Sequence, residues 1–275
     1  MKKPLLFFTG FVGVLVCAEI VQAQDAGQQF QGFNLQGYSQ DGKKAWAVNG
    51  SKADILGDKI KISDVAAESY GEEKVNLTAQ TGIIDQTDGN IHLEKDVIIT
   101  SQRGTQLTTD SLDWNRTADL VKTKAPVVIT DKDMTLTGEG MEAKPGLKTA
   151  QIEKNVTATM DTDPKPEEKK NVTITCDGPM TLDRSKSYAV FEDNVVAVQG
   201  DQTLKADRME LYFDQDQKQI KELVCIGHVV ITRGANQSFA DKMVYTGADQ
   251  KLTLSGRPKL ILVTEGNNAF TSAGN

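Results

Sequence analysis

LKADRMELYFDQDQKQIKELVCIGHVVI, residues 204–231, holds three short apolar runs separated by turn residues. Leu204 and Ala206 alternate with Lys205 and Asp207, and Met209, Leu211 and Phe213 alternate with Arg208, Glu210 and Tyr212. Alternation at a period of two reads as half-buried strand. The polar run Asp214 to Gln219 separates these from Ile220 and Leu223 to Ile226. A turn is expected at Gly227-His228, followed by Val229 to Ile231. The phase changes inside the first run: apolar side chains sit at even positions through Ala206 and at odd positions from Met209. Successive strand side chains point to opposite faces, so an unbroken strand would turn its apolar set to the wrong side. The chain is therefore expected to bulge or turn a corner near Asp207-Arg208.

The device recurs along the chain. Leu107 and Thr109 precede Asp110, and Leu112 and Trp114 follow it. Leu136 and Gly138 stand before Glu139, with Met141 and Ala143 after it. Ser238 and Ala240 flank Asp241 with Met243 and Tyr245, and Leu77 and Ala79 flank Gln80 with Gly82 and Ile84. A weaker copy at Ile174 and Cys176 has Asp177-Gly178-Pro179 at its corner. The copies start at positions 77, 107, 136, 174, 204 and 238, and each ends in an apolar strand: 97–99, 127–129, 156–158, 195–198, 229–231 and 260–263. Units that cannot bury an apolar face alone bury a continuous one when stacked.

Composition narrows the class. Hydrophobic residues make up 39% of the 275 and charged residues 25%, which suits a chain with a core, while aromatics are only 6%, so that core is mostly aliphatic. The formal charge of −7 excludes nucleic acid as the expected partner, because phosphate binding needs a basic surface.

In chain order, 1–23 reads as a secretory signal: Lys2 and Lys3, an uncharged apolar run from Pro4 to Ala18, and Val21-Gln22-Ala23 before a cut at Gln24. Retention as an uncleaved anchor stays open. Residues 24–41 are polar and expected to be flexible. The first β-block covers 42–161, with 64–74 as a charged connection. A linker with Pro164 and Pro166 covers 162–171, the second block covers 172–265, and a polar tail covers 266–275. The whole mature chain reads as all-β. Sheets folded at corners give a jelly roll or sandwich. A parallel β-helix is the rival, with coils shorter than these units and no regular phase flip.

Catalytic patterns are lacking. His92 and His228 are the only histidines, so no Ser-His-Asp or Cys-His arrangement has support. The many Asp residues fall at turns and corners, where local hydrogen bonding favours them. Cys225 and His228 have a metal-like spacing without the further ligands that a structural zinc needs, so no metal site and no cofactor are expected. Gly138-Glu139-Gly140 opens no helix and does not make a dinucleotide site. Cys176 and Cys225 lie in neighbouring repeats, and a disulfide between them stays open beside two free thiols.

What remains is two apolar rows. Val97, Ile99, Val127, Ile129, Val195, Ala197, Val229 and Ile231 form one, and Leu112, Trp114, Met141, Met209, Leu211, Phe213, Met243 and Tyr245 form the other. They make either a closed core or a core open enough to take acyl chains.

These residues resemble the periplasmic OstA-like lipopolysaccharide-export family. Val195 to Gly200 with Leu204-Lys205-Ala206-Asp207-Arg208-Met209, repeated at Gly227 to Ile231 and Ser238 to Tyr245, is similar to LptA. Gly42 to Ala53 with Trp46, then Leu77 to Asp85 and Leu107 to Trp114, is similar to LptC. The resemblance covers about 42–263. It implies tandem V-shaped β-jelly rolls, LptC-like then LptA-like, that hold the acyl chains of lipid A between their sheets. It also implies a periplasmic location, an inner-membrane ABC transporter complex and an outer-membrane translocon component as partners, and head-to-tail self-association through edge strands. The expected role is that of a non-enzymatic lipid-transfer bridge. Two rivals are a structural or adhesive envelope protein with a closed core and a carbohydrate-acting β-helix enzyme.

Overall fold

In the computed structural model each phase flip is a corner in a long, bent strand. The structure describes residues 28–39, 41–71, 74–118, 120–144, 149–161, 171–214 and 220–263. The expected signal at 1–23, linker residues 162–170 and the tail at 266–275 lie outside them.

The described residues form strands joined in chain order: β1 (Gln28–Tyr38), β2 (Lys44–Leu56), β3 (Lys59–Tyr70), β4 (Lys74–Asp85), β5 (Ile91–Ser101) and β6 (Gln106–Asn115), then β7 (Leu120–Asp131), β8 (Met134–Ala143) and β9 (Thr149–Asp161). After them come the short β10 (Asn171–Cys176) and β11 (Met180–Asp183), then β12 (Tyr188–Gln199), β13 (Gln202–Phe213), β14 (Ile220–Arg233), β15 (Asn236–Thr246), β16 (Lys251–Ser255) and β17 (Lys259–Ile261). Every pairing is antiparallel, which excludes the parallel β-helix and gives the jelly-roll class. β10 and β11 together act as one strand broken at Asp177-Gly178-Pro179, because both pair with β9 on one side and β12 on the other.

The corners use two complementary devices. In β13 the pairing jumps from Lys205 to Arg208, and in β15 Asp241 is stepped over between Ala240 and Lys242. These strands change parity. Their partners carry one extra residue. Lys95-Asp96 in β5, Asp193-Asn194 in β12 and Gly227-His228 in β14 lie between paired residues, all with positive φ. The two residues amount to a full side-chain period. Leu93 and Val97, or Cys225 and Val229, therefore stay in phase across the bend. For this reason Gly227-His228, expected as a turn between two strands, is the corner of one strand.

Neighbouring corners interlock. A Cβ on Gly227 would stand 2.1 Å from Asp207 Oδ2, so the Asp of β13 occupies the space that glycine leaves in β14. His228 Nδ1 lies 2.8 Å from the same oxygen. Asn194 Nδ2 donates to Asp177 Oδ2 at 2.8 Å, and Ser51 Oγ donates to Asp64 Oδ2 at 2.6 Å.

The bends divide each strand into two arms. Arm A ends at connections such as 57–58, 86–90 and 184–187, and arm B at 102–105, 132–133 and 200–201. Inward side chains of both arms form one apolar cluster running from Val48 to Met243. It crosses the boundary between the two blocks without a break, since β9 pairs directly with β10 and β11.

Two expectations about the N-terminal region are corrected. Gln28–Tyr38, expected to be flexible, is β1, a ten-pair edge ladder on β2. Backbone pairing satisfies the amides that face β2, although its side chains are largely exposed and its outer edge stays open. Residues 64–70, expected as a connection, belong to β3, where Asp64 is a corner residue and Val65 is buried.

The interlock predicts a difference between two glycines of left-handed φ. Gly234→Ala has open space around its Cβ and should cost about 1–2 kcal/mol. Gly227→Ala must also displace Asp207, and should cost roughly 2–4 kcal/mol. Urea unfolding of the two variants measures this, and equal losses would mean that the corner contact is unimportant.

Candidate functional site

In β5, β13, β14 and β15 the burial of the trough-shaped inward face falls away from the corners, whereas in the middle of the sheet it reaches the tips, where Val121, Ile129, Ala143, Ala150 and Ala189 are buried. In β13 Met209 is fully buried, Leu211 is 1% exposed and Phe213, at the arm A tip, is half-buried. In β14 Cys225 and Val229 flank the corner and are sealed, while Ile231 is half-buried. In β5 Val97 is sealed and Ile99 half-buried, and in β15 Met243 is sealed and Tyr245 half-buried. Residues near a bend are covered by the opposite arm, and the half-buried residues at the tips of these four strands belong to the mouth.

All sixteen residues of the two rows fall in this one cluster. Val97, Leu112, Val127, Ile129, Met141, Val195, Met209, Leu211, Val229 and Met243 are buried, and Ile99, Trp114, Ala197, Phe213, Ile231 and Tyr245 pack against them with partial exposure. Sequence reasoning missed Leu93, Ile152 and Phe191, and left Leu107 and Leu136 of the recurring alternation out of the two rows, although all five are equally sealed. Leu93 and Phe191 share the parity of Val97 and Val195 across a bulge, and that shared parity was the signal available to find them.

Two buried hydroxyls are absorbed locally. Thr109 Oγ1 donates to the Pro126 carbonyl at 2.9 Å, and Thr123 Oγ1 accepts from Ala125 N at 3.0 Å. The possible disulfide does not form in this structure. Cys176 and Cys225 are both free and buried, on β10 and β14, with β12 and β13 between them. Burial pushes their thiols up to about 11 and about 12, which keeps both protonated and inert near neutral pH.

The polar features lie outside the trough. His92 Nδ1 stands 2.6 Å from Asp113 Oδ1, and Nε2 stands 3.0 Å from Glu94 Oε1. The Asp113 hydrogen bond raises the His92 pKa, with Glu94 adding to it against partial burial. His92, Asp113, Asn90, Ile91 and Trp114 line a shallow cavity of about 370 Å³ at the arm A tips. Arg208 bridges Glu192 and Glu210 on the outer face. Among the described residues no group of three His, Cys, Asp or Glu side chains is placed to hold a metal.

Comparison with known families yields two matches in tandem. Residues 16–161 match a family described as lipopolysaccharide-assembly, LptC-related. Residues 173–273 match one described as LptA/(LptD N-terminal domain) LPS transport protein. No curated protein matches the chain. The order of the two matches is the order in which the sequence resembles them.

The His92 pair has a defined pH signature. Its folded pKa is raised, so its contribution to stability is present below the unfolded value of about 6.5 and is lost as pH rises through the folded value. Asp113→Asn should move the His92 midpoint down in an NMR titration. It should also destabilise the protein at pH 5.5 by roughly 0.2–1 kcal/mol, as for other exposed pairs, and by less at pH 8.5. An unmoved midpoint would show that Asp113 does not set it.

Proposed function

Because this chain belongs to the LptC-related lipopolysaccharide-assembly family and also carries an LptA/LptD-type transport unit, we propose that its apolar trough is the path along which lipopolysaccharide travels. Its role lies in lipopolysaccharide transport. The finer reading is that acyl chains of lipid A lie between the arms while the sugars remain in water at the mouth. The observation that carries this is the continuity of the inward cluster through both family units, with half-buried apolar side chains along its tips.

The physical advantage is a flattened barrier. Moving an acyl chain into water costs about 0.8 kcal/mol per CH₂, which is prohibitive for a lipid with several chains. A trough that exchanges one apolar surface for the next avoids that cost. The work asked of the protein is therefore binding without chemistry, and we read it as a non-enzymatic carrier.

The ends of the sheet suit a bridge. Among the described residues β1 pairs only with β2, and Phe30, Leu35 and Tyr38 are exposed on it. At the other end β17 pairs only with β15, and Leu260, Ile261, Leu262 and Val263 are exposed. Open edges with apolar side chains are normally hidden, and they extend a sheet when a partner strand adds to them. We assign them to contact with an inner-membrane ABC transporter complex, an outer-membrane translocon component, or further copies of the chain, in the periplasm. No helix among the described residues is long and apolar enough to cross a membrane.

A closed structural core is the competing reading, and the near-complete burial of Leu107, Leu136 and Ile152 favours it. Lipid must part the arms at those positions. Photocrosslinking separates the two. With a photoreactive residue at Tyr245, lipopolysaccharide should label the protein in its own envelope. Phe213→Asp at the half-buried tip should cut that labelling at least tenfold while leaving export of the protein intact. Undiminished labelling in the variant, or no lipid at Tyr245 at all, would overturn the carrier reading.

A further inference from the structure

Two arginines of arm A cross the mouth of the trough. Arg116, just after β6, holds its guanidinium 5.5 Å from the ring centroid of Trp46, which lies in the arm B half of β2. Arg184, in the β11–β12 connection, reaches two groups of arm B. Its Nη2 lies 3.4 Å from Asp131 Oδ2 at the end of β7, and its Nη1 donates to Thr105 Oγ1 at 3.5 Å. Thr105 is 2% exposed, and its hydroxyl donates to Asp131 Oδ2 at 3.1 Å. A sealed hydroxyl thus fixes the carboxylate and presents it to the guanidinium.

Both crossings show the same stagger. Each joins an arm A tip to the arm B tip of a strand several places earlier in the sheet, as the twist of stacked sheets requires. The Arg184 crossing also has a particular place in the chain. Thr105 and Asp131 belong to the LptC-related match, and Arg184 lies in the first hairpin of the LptA/LptD-type match. The contact therefore closes the mouth where one family unit gives way to the next.

We propose that Arg184, Asp131 and Thr105 form a gate across the mouth of the trough, which an amphiphile in transit must open to pass between the two units. The inference rests on the carrier reading above. An amphiphile with its chains inside and its headgroup outside occupies the mouth continuously as it moves. A side-chain bridge joining the two arms lies in the path of that linkage. The bridge is built to open. Its Arg184 contacts lie at the long limit of hydrogen bonding, and the Arg184 and Asp131 side chains are 30% and 33% exposed, so water can replace each partner. Thr105 and Asp131 keep their own bond when Arg184 leaves, so opening exposes no unsatisfied buried hydroxyl.

The test locks the gate in the full chain. Arg184→Cys and Asp131→Cys are joined in cells by a short, reducible, thiol-reactive crosslinker. The native Cys176 and Cys225 are buried with raised pKa and do not compete. Photoreactive residues at Trp114 and, separately, at Phe213 report lipopolysaccharide on the two sides. Before linking, both positions should be labelled. After linking, one should keep its label while the other falls at least tenfold, and reduction should restore it. Arg184→Ala, which removes the bridge, should keep labelling at both positions. Labelling retained at both positions in fully linked protein overturns the gate, as does loss at either position in Arg184→Ala. Absence of lipid from both positions in the unlinked protein overturns the carrier reading itself, and the gate with it.

Discussion

The structure depends on keeping apolar side chains on the concave face of a strand on both sides of a sharp bend. Alternation makes this a problem of counting. A strand that bends must either lose a step, as β13 does between Lys205 and Arg208, or gain a full period, as β14 does at Gly227-His228. Where the two solutions sit on neighbouring strands, as from β12 to β15, they keep the corners in line. The left-handed residues in one strand leave room for the Asp of the next, so Gly227 and Asp207 share one small volume. Any strand that miscounted would present charge to the core, and the cost of burying an unpaired charge enforces the pattern.

Because the corners align, the two arms of every strand close over one apolar space instead of several. That continuity makes the tandem of two family units more than two beads on a string. β9 hands its backbone hydrogen bonds directly to β10 and β11, and the core residues Ile152, Ile174 and Met180 bridge the boundary without a polar interruption. A bridging protein built from separate units must meet its neighbour at a sheet edge. Here one such contact is covalently built in, and the same ladder of hydrogen bonds that holds a hairpin holds the junction.

The mouth carries the opposite physics. Near the corners each inward side chain is covered by the facing arm. At many tips only partial cover remains, and the Arg184 contacts across the opening are long and made between partly exposed side chains. A trough needs both: a dry floor that fixes the fold, and a rim loose enough to yield. Charged groups are kept to the outer face and the rim, where His92, Arg208 and Arg184 find carboxylate partners in water.

Much of this was legible in the sequence. The parity change at Ala206 and Met209 gave the corner, its recurrence gave the repeat, and the antiparallel, bent sheet followed from them. The apolar rows from Val97 to Tyr245 were readable because strand side chains alternate by a fixed rule. The bulged partners were hidden for the same reason. Gly227-His228 restores the parity it interrupts, so a bend looked like a turn between two strands. β1 was hidden because a backbone ladder on an exposed edge leaves no apolar pattern. Residues 64–70 read as a connection because a corner places charge in the middle of a strand. Three things were decided by the tertiary structure alone: the separation of Cys176 from Cys225, the fusion of the two blocks into one sheet, and the meeting of Arg184 with Asp131 and Thr105. Each depends on which strands lie side by side or face to face, and pairing partners and facing arms are set by the stagger of two twisted layers, which local sequence periodicity does not encode.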